Sequence, residues 1–261
     1  MERQQRLAGK TALVTGSARG LGRMTALQLA ALGCNVAVNY VRSDRDAFEL
    51  VERLQALGVR AAAVQADVGD SASARRLVAE TERRLESGID ILVNNAGPFV
   101  RERRRFADAP EDELETLLQG NLLGPMRLNR LVIPGMRERG FGRIVHFGFG
   151  RAAEARGWPH RGAYAAAKVA LVSLTKTLAV EEAGTGITVN MVCPGDIRGD
   201  AKEKPIDQVR NEGDPEAAGR PGSGEDVARV IAFLCDPASD YVTGSIVDVT
   251  GGFDPIRYHF D

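Results

Sequence analysis

The run Thr11-Ala12-Leu13-Val14-Thr15, followed at once by Gly16-Ser17-Ala18-Arg19-Gly20-Leu21-Gly22, constrains this chain more than any other stretch. A short, continuous apolar run bounded by a turn reads as a strand buried on both faces. The glycines let the backbone turn sharply and bring N–H groups to the start of a helix, where the helix dipole favours an anion such as a pyrophosphate. A glycine-rich loop alone is a weak motif, and the spacing here, Gly-x3-Gly-x-Gly, departs from the commoner Gly-x-Gly-x2-Gly. Its place after the first buried strand and before a helix is the context that nucleotide binding needs; a tight turn is the alternative reading.

From that point strand and helix alternate. Apolar runs predict strands at 35–40, 60–65, 90–93, 142–147, 187–192 and 245–249, and amphipathic stretches predict helices at 24–32, 44–57, 71–85, 111–139, 163–182 and 225–234. Continuous apolar strands between helices imply a parallel sheet covered on both faces. The expected fold is therefore α/β, a single doubly wound Rossmann-type domain over 1–261, with a central parallel sheet of about seven strands and helices on both faces. No linker divides the chain. Residues 199–224, rich in charge, Pro and Gly, lie between a strand and its following helix, where a mobile substrate lid belongs.

Hydrophobic residues make up 44% and charged residues 26% of the 261 residues, with a net charge of -1. This balance argues against disorder and against non-specific binding to nucleic acid. The local run Arg101-Glu102-Arg103-Arg104-Arg105, with Arg127 and Arg130, reads either as a solvated face or as a contact for an acidic carrier protein or a coenzyme A phosphate. Cys34, Cys193 and Cys235 are far apart, with no Cys-x-x-Cys, which suits core thiols in a reducing cytoplasm. His146, His160 and His259 have no ligand-like spacing, so no metal is expected. Residues 1–10 carry no apolar segment and no uninterrupted apolar run nears membrane-spanning length, which predicts neither secretion nor a membrane partner.

Tyr164 and Lys168 share one helical face, a turn apart. A cation there favours phenolate over phenol, which an acid or base near neutrality needs, although an ordinary amphipathic helix supplies the same spacing. Asp67-Val68 and Asn94-Asn95-Ala96-Gly97 follow strands directly, at the sheet edge where ligands bind. Asn121 is an indifferent helix former with Gly120 and Gly124 beside it, consistent with a kink or with a functional amide.

Thr-Gly-x3-Gly-x-Gly at 15–22, Asp67, Asn-Asn-Ala-Gly at 94–97, Asn121, Tyr-x3-Lys at 164 and 168, and Pro194-Gly195 occur in this order. Together they resemble the short-chain dehydrogenase/reductase family over nearly the whole chain, and most of all its 3-oxoacyl-(acyl-carrier-protein) reductase branch. The resemblance implies a carbonyl–alcohol oxidoreductase in which Tyr164 transfers a proton, Lys168 lowers the phenol pKa and holds the nicotinamide ribose, and Asn121 anchors a relay water. It places Gly16, Ser17, Gly20, Leu21 and Gly22 against the pyrophosphate side, Asp67 and Val68 beside adenine, and Asn95, Ala96, Gly97, Pro194, Gly195 and Ile197 along the rest of the cofactor. It also implies a homotetramer packed through the long helix and the Tyr/Lys helix, with residues 245–253 at another interface.

Cofactor choice follows from charge. NAD preference usually needs an acid at the end of strand 2, whereas a 2′-phosphate needs cations. The strand ends Val38-Asn39-Tyr40 and is followed by Arg42 and Ser43, so NADP(H) is expected over NAD(H), with Arg19, Asn39, Arg42 and Ser43 about the phosphate. One element of the family pattern is missing. The family's substrate-binding serine corresponds to Arg151 counting back from Tyr164, or to Phe149, the preferred position, counting forward along the strand. From Arg143 to Ala163 there is no Ser or Thr at all. Phe149 and His160 are candidate substrate contacts, with Trp158 and His146 as further donors. A dinucleotide-binding sensor or scaffold with little turnover is the alternative to an enzyme.

Overall fold

The computed structural model describes residues 5–213, 219–252, 254 and 256. Seven strands, β1 (Thr11–Val14), β2 (Asn35–Tyr40), β3 (Ala61–Gln65), β4 (Ile91–Asn94), β5 (Gly142–Phe147), β6 (Ile187–Pro194) and β7 (Ile246–Val249), form one sheet in the order β3-β2-β1-β4-β5-β6-β7. Every pairing is parallel. The chain reverses its direction of winding between β1 and β4, and that switch point opens a crevice at the carboxyl ends of the strands.

Side chains alternate strictly across the sheet. Ala12 and Val14 of β1 and Ile91 and Val93 of β4 enter one core, whereas Leu13 and Leu92 enter the other. The first core is closed by α1 (Gly20–Ala31), α2 (Asp44–Gln55) and α8 (Gly224–Cys235), the second by α3 (Ser71–Leu85) and α5 (Gly124–Arg139). Helix α6 (Gly162–Glu181) packs over β6 through Leu171, Val172 and Met191. Each such fully buried side chain contributes about 1.5–3 kcal/mol, which explains why the strands read as unbroken apolar runs. Helix starts are marked chemically. Asp70 accepts from the Ser73 N–H at 2.6 Å ahead of α3, and Ser223 and Asp226 form a capping box on α8.

Three elements differ from expectation. Helix α1 begins at Gly20 rather than Met24, because the helix starts within the glycine loop and Arg19 is its extended cap. The predicted helix 111–139 is broken into α4 (Glu111–Leu118), a π-helical turn at Gln119–Leu123 and α5. The proposed lid is built in part: a 3-10 turn Gly199–Glu203 and the short α7 (Ile206–Val209) bury Ala201 and Val209 in the first core. The remainder of that stretch at 214–218, together with Phe253 and His259, lies outside the described residues. By length and composition α6 could cross a membrane, a property that the sequence reading did not anticipate. Here it packs over β6 and carries Lys168, which is buried.

Candidate active site

The glycine loop is stitched to the end of β4 by side chains that the motif supplies. Thr15 Oγ1 donates to Val93 O at 3.2 Å and accepts from the N–H groups of Asn95 and Ala96 at 3.0 and 2.9 Å. Asn95 Nδ2 donates to Thr15 O at 2.8 Å and Gly16 O at 3.1 Å. A Cβ on Gly22 would stand 2.6 Å from that amide, so only glycine lets α1 close on it. Ser17 is fully buried, donating to Val14 O at 2.7 Å and accepting from the Asn39 N–H at 3.2 Å. Asn39 accepts from the Gly16 N–H at 3.0 Å and donates to Ala66 O and Val64 O at 3.0 and 3.3 Å. Its amide is committed to the scaffold, so Asn39 shapes the phosphate corner without a donor to spare for it.

Beside this loop lies a cleft of about 800 Å³. Gly16, Arg19, Asn39, Arg42 and Ser43 line one part of it; Asp67, Val68 and the segment Asn95-Ala96-Gly97 line the rest. The predicted contacts Ser17, Gly20, Leu21, Gly22, Pro194, Gly195 and Ile197 are not on its wall. Ile197 packs into the first core, and a Cβ on Gly195 would press within 2.9 Å of Thr250 Cα. At the mouth, Arg19 donates to the Ser43 hydroxyl and lies 3.2 Å from Asp46. Arg42 is exposed and has no ion-pair partner among the described residues. Arg127 is braced inward: it donates to Gly69 O at 2.6 Å and Gln119 Oε1 at 2.8 Å, tying α5 to the loop beneath the cleft.

Helix α6 presents Tyr164 and Lys168 on one face, the ammonium 5.8 Å from the phenol ring centre. Lys168 is 3% exposed and has no hydrogen-bond or ion-pair partner among the described residues. Burial lowers its pKa to about 8, against a smaller opposing effect of Cys193. Burial raises the Tyr164 phenol well above its ordinary value, and the neighbouring Cys193 thiol adds to this. The expected acidification of Tyr164 by Lys168 is thus outweighed in the protein alone, because desolvation disfavours the phenolate. Tyr164 is a neutral phenol, a proton donor.

Asn121 is fully buried in the π turn. Its Nδ2 donates to Pro98 O at 2.9 Å and Leu117 O at 3.1 Å, while Oδ1 has no partner. A Cβ on Gly97 would stand 2.2 Å from that Oδ1, so the glycine lets the loop after β4 lie against it. Both alternatives for Asn121 therefore coexist, since a π turn interrupts the helix and the amide is used. Further along β5, His146 Nδ1 meets Thr175 Oγ1 at 2.8 Å. Thr175 already donates to Leu171 O, so Nδ1 carries the proton and Nε2 accepts from Asn129 at 2.8 Å. Burial, then Lys168, lowers His146 to about 3 and keeps it neutral.

Side-chain alternation decides between the two serine positions. A Cβ on Gly148 would stand 2.5 Å from Cys193 Sγ, so position 148 points at β6 and position 149 points the other way. The Phe149 ring lies 6.2 Å from that of Tyr164 and 4.8 Å from that of Trp158. Arg151 turns away at φ 65, its N–H donating to Asp248. Phe99 completes the aromatic surround, edge-on to Tyr164 at 5.0 Å, and is 45% exposed. Sequence reasoning missed Phe99 and the buried Arg161, whose guanidinium lies 5.0 Å from the Phe99 ring. Arg161 donates to the carbonyls of Glu102, His160 and Arg101 at 2.9, 2.9 and 3.1 Å, strapping down the loop that bears Phe99. His160 is exposed and donates from Nδ1 to Arg104 O at 3.1 Å.

The residues fit a dinucleotide: Lys168 is a buried ammonium lacking acceptors, the Asn121 Oδ1 is a buried acceptor lacking a donor, and the cleft runs from the glycine loop along Asn95-Ala96-Gly97. A family model described as enoyl-(acyl carrier protein) reductase matches residues 16–254. The chain is 36% identical over 244 residues, 93% of its length and 97% of the relative's, to the 3-oxoacyl-[acyl-carrier-protein] reductase FabG of Staphylococcus aureus. A Bacillus thuringiensis structure, described provisionally as a 3-oxoacyl-reductase, superposes with a TM-score of 0.89 at 45% identity, covering 95% of this chain and 99% of that one. A blue fluorescent protein from a metagenomic library, solved in complex with NADPH, gives 0.82 at 35% identity over 95% and 99%. With the sheet order, the glycine loop and the Tyr164–Lys168 pair, these likenesses place the chain in the short-chain dehydrogenase/reductase family.

Proposed function

We propose that this chain is an NADP(H)-dependent carbonyl reductase of the 3-oxoacyl-(acyl-carrier-protein) reductase type. The observation that carries the reading is a neutral Tyr164 one turn from a buried, unpartnered Lys168. When bound, the dinucleotide supplies the hydride. Tyr164 donates its proton to the carbonyl oxygen, and a phenol that burial keeps protonated suits reduction better than alcohol oxidation. Lys168 holds the ribose hydroxyls, which satisfy its ammonium, and then reprotonates the tyrosine through a path that includes Asn121. Arg42 and Arg19 receive the 2′-phosphate, with Ser43 beside them. The NADPH complex of the blue fluorescent protein and the FabG relative support the cofactor and substrate class.

Phe149, facing Tyr164 where the family's serine belongs, favours a second reading: an NADP(H) sensor that turns over little. One experiment separates them. NADPH oxidation with acetoacetyl-CoA, simple ketones and quinones, lost on Tyr164→Phe, supports the reductase; tight NADPH binding without turnover of any carbonyl supports the sensor. Homotetramer assembly in the cytoplasm is also proposed. Leu118 on α4, Met126 on α5 and Val180 on α6 are exposed apolar groups on the helices concerned. A stable monomer in sedimentation would refute the assembly.

A further inference from the structure

The first free N–H of α1 is already taken. Glu203 Oε1 accepts from the Gly20 N–H at 2.6 Å, and its Oε2 lies 3.7 Å from Arg23 Nε. Glu203 ends the 3-10 turn Gly199–Glu203, which is held in place from the far side. Ala201 is buried in the core, and Lys202 O lies 1.9 Å from where a Cβ on Gly224 would be, so the turn rests directly on the start of α8. The 800 Å³ cleft is walled by Gly16, Ala18 and Arg19 but not by Gly20, the next residue, whose N–H Glu203 covers.

Backbone N–H groups at a helix start hold a dinucleotide's diphosphate, and a carboxylate on the same donor carries the same charge sign. Both cannot use it together. We infer that Glu203 is an intramolecular competitor of the cofactor's diphosphate: its carboxylate occupies the Gly20 N–H in the ligand-free protein and is displaced when a dinucleotide enters. This rests on the reading of the cleft as the dinucleotide site. Departure of Glu203 leaves no bare charge behind, because Arg23, itself 6% exposed, keeps Glu49 at 2.6 Å. Cofactor entry is thereby coupled to release of the segment that begins the substrate lid. The competition acts on the diphosphate, common to both nicotinamide cofactors, and so lowers affinity for each by the same factor.

The test is the dissociation constants of NADPH and NADH, by calorimetry, for the wild type, Glu203→Gln, Glu203→Ala and Asp200→Asn. Asp200 is a carboxylate of the same turn whose ion pair is with Lys204 and which does not touch Gly20. Both Glu203 variants are expected to bind both dinucleotides about tenfold more tightly, or about 1.4 kcal/mol, with Asp200→Asn unchanged. Unchanged or weaker binding by folded Glu203→Gln overturns the inference, as does an equal gain from Asp200→Asn, which would reduce the effect to net charge. If neither dinucleotide binds wild type or any variant, the cleft is misread and the inference falls with it.

Discussion

Replacing Phe149 with serine separates what the site contains from what it lacks. The residue is 5% exposed, and its ring packs on Trp158 at 4.8 Å and Tyr164 at 6.2 Å. Deleting a buried phenyl group costs about 3–5 kcal/mol. At about 3 °C per kcal/mol for a domain of this size, Tm should fall by about 10 °C. Against that loss, a hydroxyl beside Tyr164 supplies an oxyanion donor, and such donors are worth about 10²–10³ in kcat. Part is forfeited as the neighbouring rings settle into the vacated space, which leaves an expected gain of about 10- to 100-fold. The assay is steady-state NADPH oxidation with acetoacetyl-CoA, with calorimetric Tm measured in parallel. Phe149→Ala is the control, since it opens the same space without a hydroxyl. Equal rates for the Ser and Ala variants, or no gain from serine while NADPH still binds, would refute the placement of position 149 opposite the substrate oxygen.

Tyr164→Phe should lower kcat by about 10²–10⁴ and leave NADPH affinity, read by calorimetry, unaltered; retained turnover would remove Tyr164 as the donor. Arg42→Ala should weaken NADPH binding about tenfold, roughly 1.4 kcal/mol, without affecting NADH, and Arg19→Ala should do less because Asp46 already offsets that charge. His146 has a folded pKa, about 3, below its unfolded value, so the unfolded chain takes up a proton that the native one refuses. Stability should therefore fall as pH drops through about 6.5 towards 3; urea melts should show a shallower acid limb for His146→Gln, and parallel limbs would contradict it.

Much of this architecture is legible before folding. Strands buried on both faces are unbroken apolar runs, so β1, β2 and β5 stand out at once, and the glycine loop announces its helix. The site is legible where chemistry and spacing coincide, as at Tyr164 and Lys168. It is opaque where contacts are long-range. Nothing in the composition of residues 199–203 indicates that Glu203 reaches Gly20, and nothing near Arg161 indicates that it straps a loop about sixty residues earlier. Asn39 misleads because its position suits a phosphate while its amide serves the scaffold. The direction of the Tyr164 shift is likewise a property of packing: spacing shows the cation, not the rings that exclude water.

The π turn at Gln119–Leu123 has a consequence for how this chain tolerates change in length. A π turn amounts to one residue too many for α-helical winding. Because each residue turns a helix by about 100°, removing one there would straighten α4 into α5 and rotate everything that follows by that angle. Leu128 and Val132, now in the second core, would swing aside, and Asn121 would leave Pro98. The extra residue works as a phase adjuster that sets two faces independently: upstream for the active-site amide, downstream for the sheet. Single-residue deletions, harmless in many surface helices, should be lethal to folding across this one.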